Sequence, residues 1–144
     1  MKIIKEFIFV PIVLLIFGYL IYNAYGFVFG TIATIFLPTN NSLQQMAKIF
    51  TTSMLIFVIL EYFISSNLPN NYFYSRMLGM LFMVSLYIIW ETYSNVAPLN
   101  FIFIVLAGCL ISYVTQTTTP LKYQNYYALM ILILMITYLL VISL

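Results

Sequence analysis

Apolar stretches long enough to cross a hydrocarbon layer recur along this chain, separated by short clusters of Pro, Asn, Ser and Thr. They fall at about 7–25, 43–64, 72–93, 99–115 and 125–144. At 1.5 Å per residue, roughly 20 residues match a hydrocarbon core about 30 Å thick. Inside such a core no water bonds the backbone, so each stretch must satisfy its own amides as a helix. Composition points the same way: 65% of the residues are hydrophobic, 6% are charged and the mean hydropathy is +1.10. A soluble domain carries roughly 25% charged residues. The expected fold is a single all-α integral membrane domain over 1–144, a bundle of five transmembrane helices with a short re-entrant or interfacial segment after the first.

Punctuation residues place the helix ends. Pro11 falls in the opening turns of the first helix, where a missing amide donor costs least. Lys2 and Lys5 ahead of an apolar run imitate a signal peptide, but the run continues past Gly18 without an Ala-x-Ala site, so a retained helix is expected. The stretch from Phe27 to Leu37, about eleven residues fenced by Gly26 and Pro38, is too short to cross and reads as re-entrant or interfacial. One long, tilted first helix reaching Leu37 is the alternative. Asn41 or Ser42 can cap the helix that Leu43 opens. Breaker-rich segments at 65–71, 94–98 and 116–124 separate the later helices.

Basic residues set the orientation, because short cytoplasmic loops retain Lys and Arg. With five spans, Lys2, Lys5, Arg76 and Lys122 share one side and Lys48 lies on the other, which places the N-terminus in the cytoplasm and the C-terminus outside a cell membrane. Tyr22, Tyr25, Tyr62, Tyr72, Trp90, Tyr93 and Tyr126 fall near the expected helix ends, where amphipathic rings prefer the interface.

The chain has no histidine, one cysteine and three acidic residues. The usual nucleophile, general-base and metal-ligand sets cannot be assembled from these, nor can bis-histidine haem ligation. No enzyme activity and no cofactor are therefore expected. A net charge of +2 from scattered lysines gives no basic face for nucleic acid. Cys109 has no disulfide partner and reads as a small packing residue.

Glu61 stands out, because a carboxyl group inside an apolar span costs several kcal/mol unless it is paired, protonated or hydrated. It marks either a functional position or a helix end reaching headgroups and pairing with Arg76 or Lys122. Glu91 is expected on the same side as Lys48, either as a plain ion pair or as part of a pocket opening outward. Met77, Met80 and Met83 read as packing in preference to a thioether copper path. Gly26-x-x-x-Gly30 and Ala107-Gly108 can bring helices close. Asn100, Ser112, Thr115 and Gln116 give the fourth helix a polar component facing the bundle or a partner, and Asn23 adds a polar group to the first.

The run Pro38-Thr-Asn-Asn-Ser-Leu-Gln-Gln-Met-Ala-Lys48 resembles the signature of a bacterial five-helix membrane-protein family catalogued only as a domain of unknown function. Pro38, Asn40, Ser42 and Lys48 match in register, and Glu91-Thr-Tyr-Ser94 with the helix ending Ile111-Ser-Tyr113 is similar to a second segment of that family. Gln44, Gln45 and Met46 stand where the family carries Trp, Glu and His. The resemblance implies five helices over most of the chain and no reaction, substrate or cofactor; an activity of that motif would be lost here.

Two functions are compatible with these features. One is a non-catalytic accessory or assembly subunit of a membrane complex, whose partners are the lipid bilayer and other membrane-protein subunits or further copies of itself. The other is a small permease or channel component using Glu61, Glu91, Asn23 and Asn100. Reporter fusions after Asn71 and after Thr119 should both read cytoplasmic; a periplasmic signal at either site rejects the five-span arrangement.

Overall fold

The computed structural model describes residues 4–24, 31–95 and 98–142, and all secondary structure among them is helical. The elements are α1 (Lys5–Ala24), α2 (Thr31–Phe36), α3 (Leu43–Ile64), α4 (Tyr72–Tyr93), α5 (Pro98–Thr118) and α6 (Tyr126–Ile142). Four of them, α1, α3, α4 and α5, hold 20 to 22 residues and are long and apolar enough to cross a membrane. With 17 residues, α6 reaches about 25 Å.

Local chemistry explains where the helices begin and end. Ser42 caps α3 by accepting the Gln45 amide at 3.4 Å, and Asn40 Oδ1 accepts the Ser42 amide at 2.8 Å in the turn before it. Pro98 is the first residue of α5, where an absent N–H is no loss. This helix runs past the expected Thr115 to Thr118, through residues assigned above to a loop. Hydroxyls of Thr115, Thr117 and Thr118 bond carbonyls one turn back, so polar side chains are satisfied within the helix itself. Its open C-terminal carbonyls are closed by Asn71, whose Nδ2 donates to Thr115, Gln116 and Thr119 at 2.7–3.2 Å.

The first helix starts at Lys5, with a π-helical turn over Lys5–Phe9 whose last bond runs from the Val10 amide to the Lys5 carbonyl. Pro11 is thus two residues further into the helix than expected. It lacks an amide and crowds the carbonyl a turn back, and a widened turn ahead of it relieves both problems.

Only part of the stretch 27–37 is described, as the six-residue α2. Its residues 27–30, the pair Gly26 and Gly30, and Tyr25 lie outside the described residues. The end of α2 is clamped onto α3. Lys48 Nζ donates to the Thr34 carbonyl at 3.0 Å, and Thr52 Oγ1 donates to the Phe36 carbonyl at 2.5 Å.

The remaining helices pack around a core that includes Val10, Leu14, Phe50, Met54, Val58, Met80, Met83, Val84, Ile104 and Val105, all buried. Met77, Met80 and Met83 lie inside it, as does Cys109. The tightest approach is between α4 and α5. A Cβ on Gly79 would sit 2.7 Å from the Gly108 carbonyl oxygen, and one on Gly108 would strike Met83. Backbone cannot yield as a side-chain tip can, so Gly79→Ala should lower unfolding stability by about 1–3 kcal/mol through overpacking. Gly18→Ala, whose nearest neighbour would be the Phe101 ring at 3.3 Å, should cost less. Unfolding titrations of both variants in one detergent check the order.

Candidate functional site: buried ion pairs at one end of the bundle

Antiparallel packing of consecutive helices brings together the start of α1, the end of α3, the start of α4 and the end of α5. Four charges meet there. Arg76, the single arginine of the chain, is fully buried, and its guanidinium grips Glu6 with two bonds, Nη1 to Oε2 at 2.8 Å and Nη2 to Oε1 at 2.9 Å. Nη2 also donates to Glu61 Oε2 at 3.2 Å, and Nη1 to Ser112 Oγ at 3.1 Å. Tyr72 donates its hydroxyl to the same Glu61 oxygen at 2.7 Å, while Lys5 Nζ holds Glu61 Oε1 at 2.6 Å.

Each helix contributes for a local reason. The π turn of α1 carries Lys5 and Glu6, and the Phe7 ring meets Tyr113 of α5 edge-on with centroids 5.0 Å apart, which seats that turn against the bundle. One turn apart on α4, Tyr72 and Arg76 face the same side. The guanidinium lies against the rings of Phe57 and Tyr72, 5.2 and 5.3 Å from their centroids. Glu6 and Glu61 are almost as buried as Arg76, whereas the Lys5 side chain is 42% exposed. Two cations and two carboxylates cancel, which is the condition for holding charges away from water.

A cleft of about 510 Å³ opens onto the cluster. Lys5, Glu6, Glu61, Tyr72 and Gln116 line it together with loop residues 66–69. Two nitrogens at this end, Arg76 Nε and Gln116 Nε2, are buried without a hydrogen-bond partner among the described residues.

The opposite end carries the other polar residues singled out above. Asn23 closes α1 and donates to the Tyr19 carbonyl at 2.7 Å, Asn100 is half-buried in the first turn of α5, and Glu91 is half-buried in the last turn of α4. Lys48 is fully buried in α3. The expected Lys48–Glu91 ion pair does not form: the Lys48 ammonium goes to the Thr34 carbonyl. A six-residue helix leaves its last carbonyls open, and a buried cation satisfies one of them. Nor does Lys122 reach Glu61; its ammonium stands over the Tyr123 ring at 5.5 Å.

Thirteen residues of α3, roughly 20 Å of helix, separate Lys48 from Glu61. The structure therefore does not bring Glu61 together with Lys48, Glu91, Asn23 and Asn100. Between the two ends lies the apolar core, with a void of about 10 Å³ bordered by Leu14, Phe50, Ser53 and Met83, the size of one water at most.

Sequence reading missed Glu6 and gave Lys5 only a topological role. The signal was present: with three acidic residues in the chain, the expected topology already puts Glu6, Glu61 and Arg76 at one end. Of the polar positions in α5, Ser112, Thr115 and Gln116 face the bundle and are buried. No family model, curated protein or solved structure matches this chain.

Replacing Arg76 alone strands the buried Glu6 carboxylate and leaves Glu61 with Lys5 as its one cation. Arg76→Met should therefore lose about 3–5 kcal/mol of stability, whereas Arg76→Met combined with Glu6→Gln and Glu61→Gln should recover most of it. Unfolding titrations of the two variants in detergent measure the difference, and equal losses would show that the ion pairs carry no such coupling.

Proposed function

We propose that this is a multi-pass membrane protein of five spans, with α6 as the fifth, its N-terminus cytoplasmic and its C-terminus outside. Support comes from four helices of crossing length and from the gathering of Lys5, Arg76 and Lys122 at one end of the bundle. A bacterial cell membrane suits the resemblance noted above. Within that resemblance Asn40, Ser42 and Lys48 have building roles, as turn, helix cap and clamp on α2.

Its role, on this reading, is that of a non-catalytic accessory or assembly subunit. The observation that carries it is the apolar layer between the two polar ends, which gives Glu61 and Glu91 no common path. A permease or channel component is the second reading, favoured by the cleft that reaches Glu61.

Mild-detergent extraction of the tagged full chain from its own membrane, followed by mass spectrometry, separates the two. The expected result is a stoichiometric partner from the same membrane. A homo-oligomer with no partner would reject the accessory role and make ion or solute flux in liposomes, with Glu61→Gln as the variant, the relevant assay.

A further inference from the structure

The carboxylates that line the cleft at the charged end are fully engaged: both oxygens of Glu6 lie on Arg76, and Glu61 uses one oxygen for Lys5 and the other for Tyr72 and Arg76. Donors are left over. Gln116, nine-tenths buried, lines the cleft with an amide nitrogen that has no partner among the described residues, and Lys5 brings three ammonium hydrogens of which Glu61 takes one. A buried donor left unmet costs about 1–3 kcal/mol, so an acceptor at this position would bind with that penalty relieved.

The four charges cancel, but they are not equally exposed. Arg76, Glu6 and Glu61 are mutually engaged in the interior, and the positive group that remains partly exposed at the mouth is Lys5. The surroundings are apolar, with Ile4, Ile8, Phe63 and Ile64 each more than half exposed beside the residues that form the cleft. Anionic oxygen next to apolar surface, at the end of a bundle of crossing length, describes an amphiphile with a phosphoryl headgroup.

We propose that this cleft binds the phosphoryl group of a phospholipid, with Gln116 Nε2 and Lys5 Nζ donating to its oxygens. Gln116 takes no part in the ion pairs, so its contribution to ligand binding is separable from the lock. The site stands or falls independently of the accessory role.

The test uses the purified full chain in a nonionic detergent and follows its thermal unfolding as ligand is added. Three probes divide the chemistry: dihexanoyl phosphatidylglycerol has both phosphoryl group and tails, glycerol phosphate has the phosphoryl group alone, and dihexanoylglycerol has the tails alone. The proposal expects a saturable rise in Tm with the first and none with the third. A comparable rise with glycerol phosphate would keep the phosphoryl site but overturn its assignment to lipid.

Gln116→Leu removes the orphan donor. It should leave the unliganded protein at least as stable as the parent while weakening the phosphatidylglycerol response about tenfold or more, the worth of one hydrogen bond to a charged group. Lys5→Gln should weaken it similarly. An undiminished response in a folded Gln116→Leu protein, or an equal rise with dihexanoylglycerol, overturns the proposal.

Discussion

A guanidinium cannot shed its proton, so a fully buried arginine obliges its surroundings to supply negative charge. At Arg76 that obligation organises one whole end of the molecule. Glu6 must come from α1, Glu61 from α3 and a hydroxyl from α5, so four helices are fixed in azimuth and in height by one side chain. Two carboxylates for one arginine would leave an excess negative charge, and Lys5 at the mouth removes it. Bidentate pairing adds an angular constraint that apolar contact between smooth helices does not supply. Close approach at Gly79 and Gly108 then sets the spacing that lets Ser112 reach the guanidinium.

Helix positions could be read from the chain because their determinants are local. The caps and breakers at Ser42, 65–71 and Pro98 act on neighbouring residues, and α3 and α4 occupy the segments expected for them. The extension of α5 to Thr118 was hidden for a different reason. Thr117 and Thr118 are loop-like in composition, yet each closes a bond to a carbonyl of its own helix, and the helix end is capped by Asn71, 44 residues away from Thr115 in sequence. Glu61 pairs with Arg76, one of the two cations that the sequence places at its end of the bundle. The Glu6–Arg76 pair, 70 residues apart, is not legible there, because charge placement along a helix says which end a residue occupies and not which way it faces.

The far end shows the same economy with neutral partners. Lys48 is as buried as Arg76 but answers a helix terminus instead of a carboxylate, and Thr52 answers the next open carbonyl. Residues that look chemical in the sequence are there used to seat a six-residue helix. The two ends differ in kind: one is a closed set of full charges beside a cleft, the other a set of backbone carbonyls met by side chains.

Order of synthesis gives the Arg76 cluster a consequence of its own. Glu6 and Glu61 are both translated before Arg76, so a nascent chain already holding α1 and α3 carries two carboxylates whose common counter-charge has not yet been made. Until the first turns of α4 emerge, Lys5 alone answers these two carboxylates, and this end of the bundle holds one negative charge too many. The arrival of one residue removes that excess and ties the two helices together, so assembly of this end is completed only once the single arginine has been made.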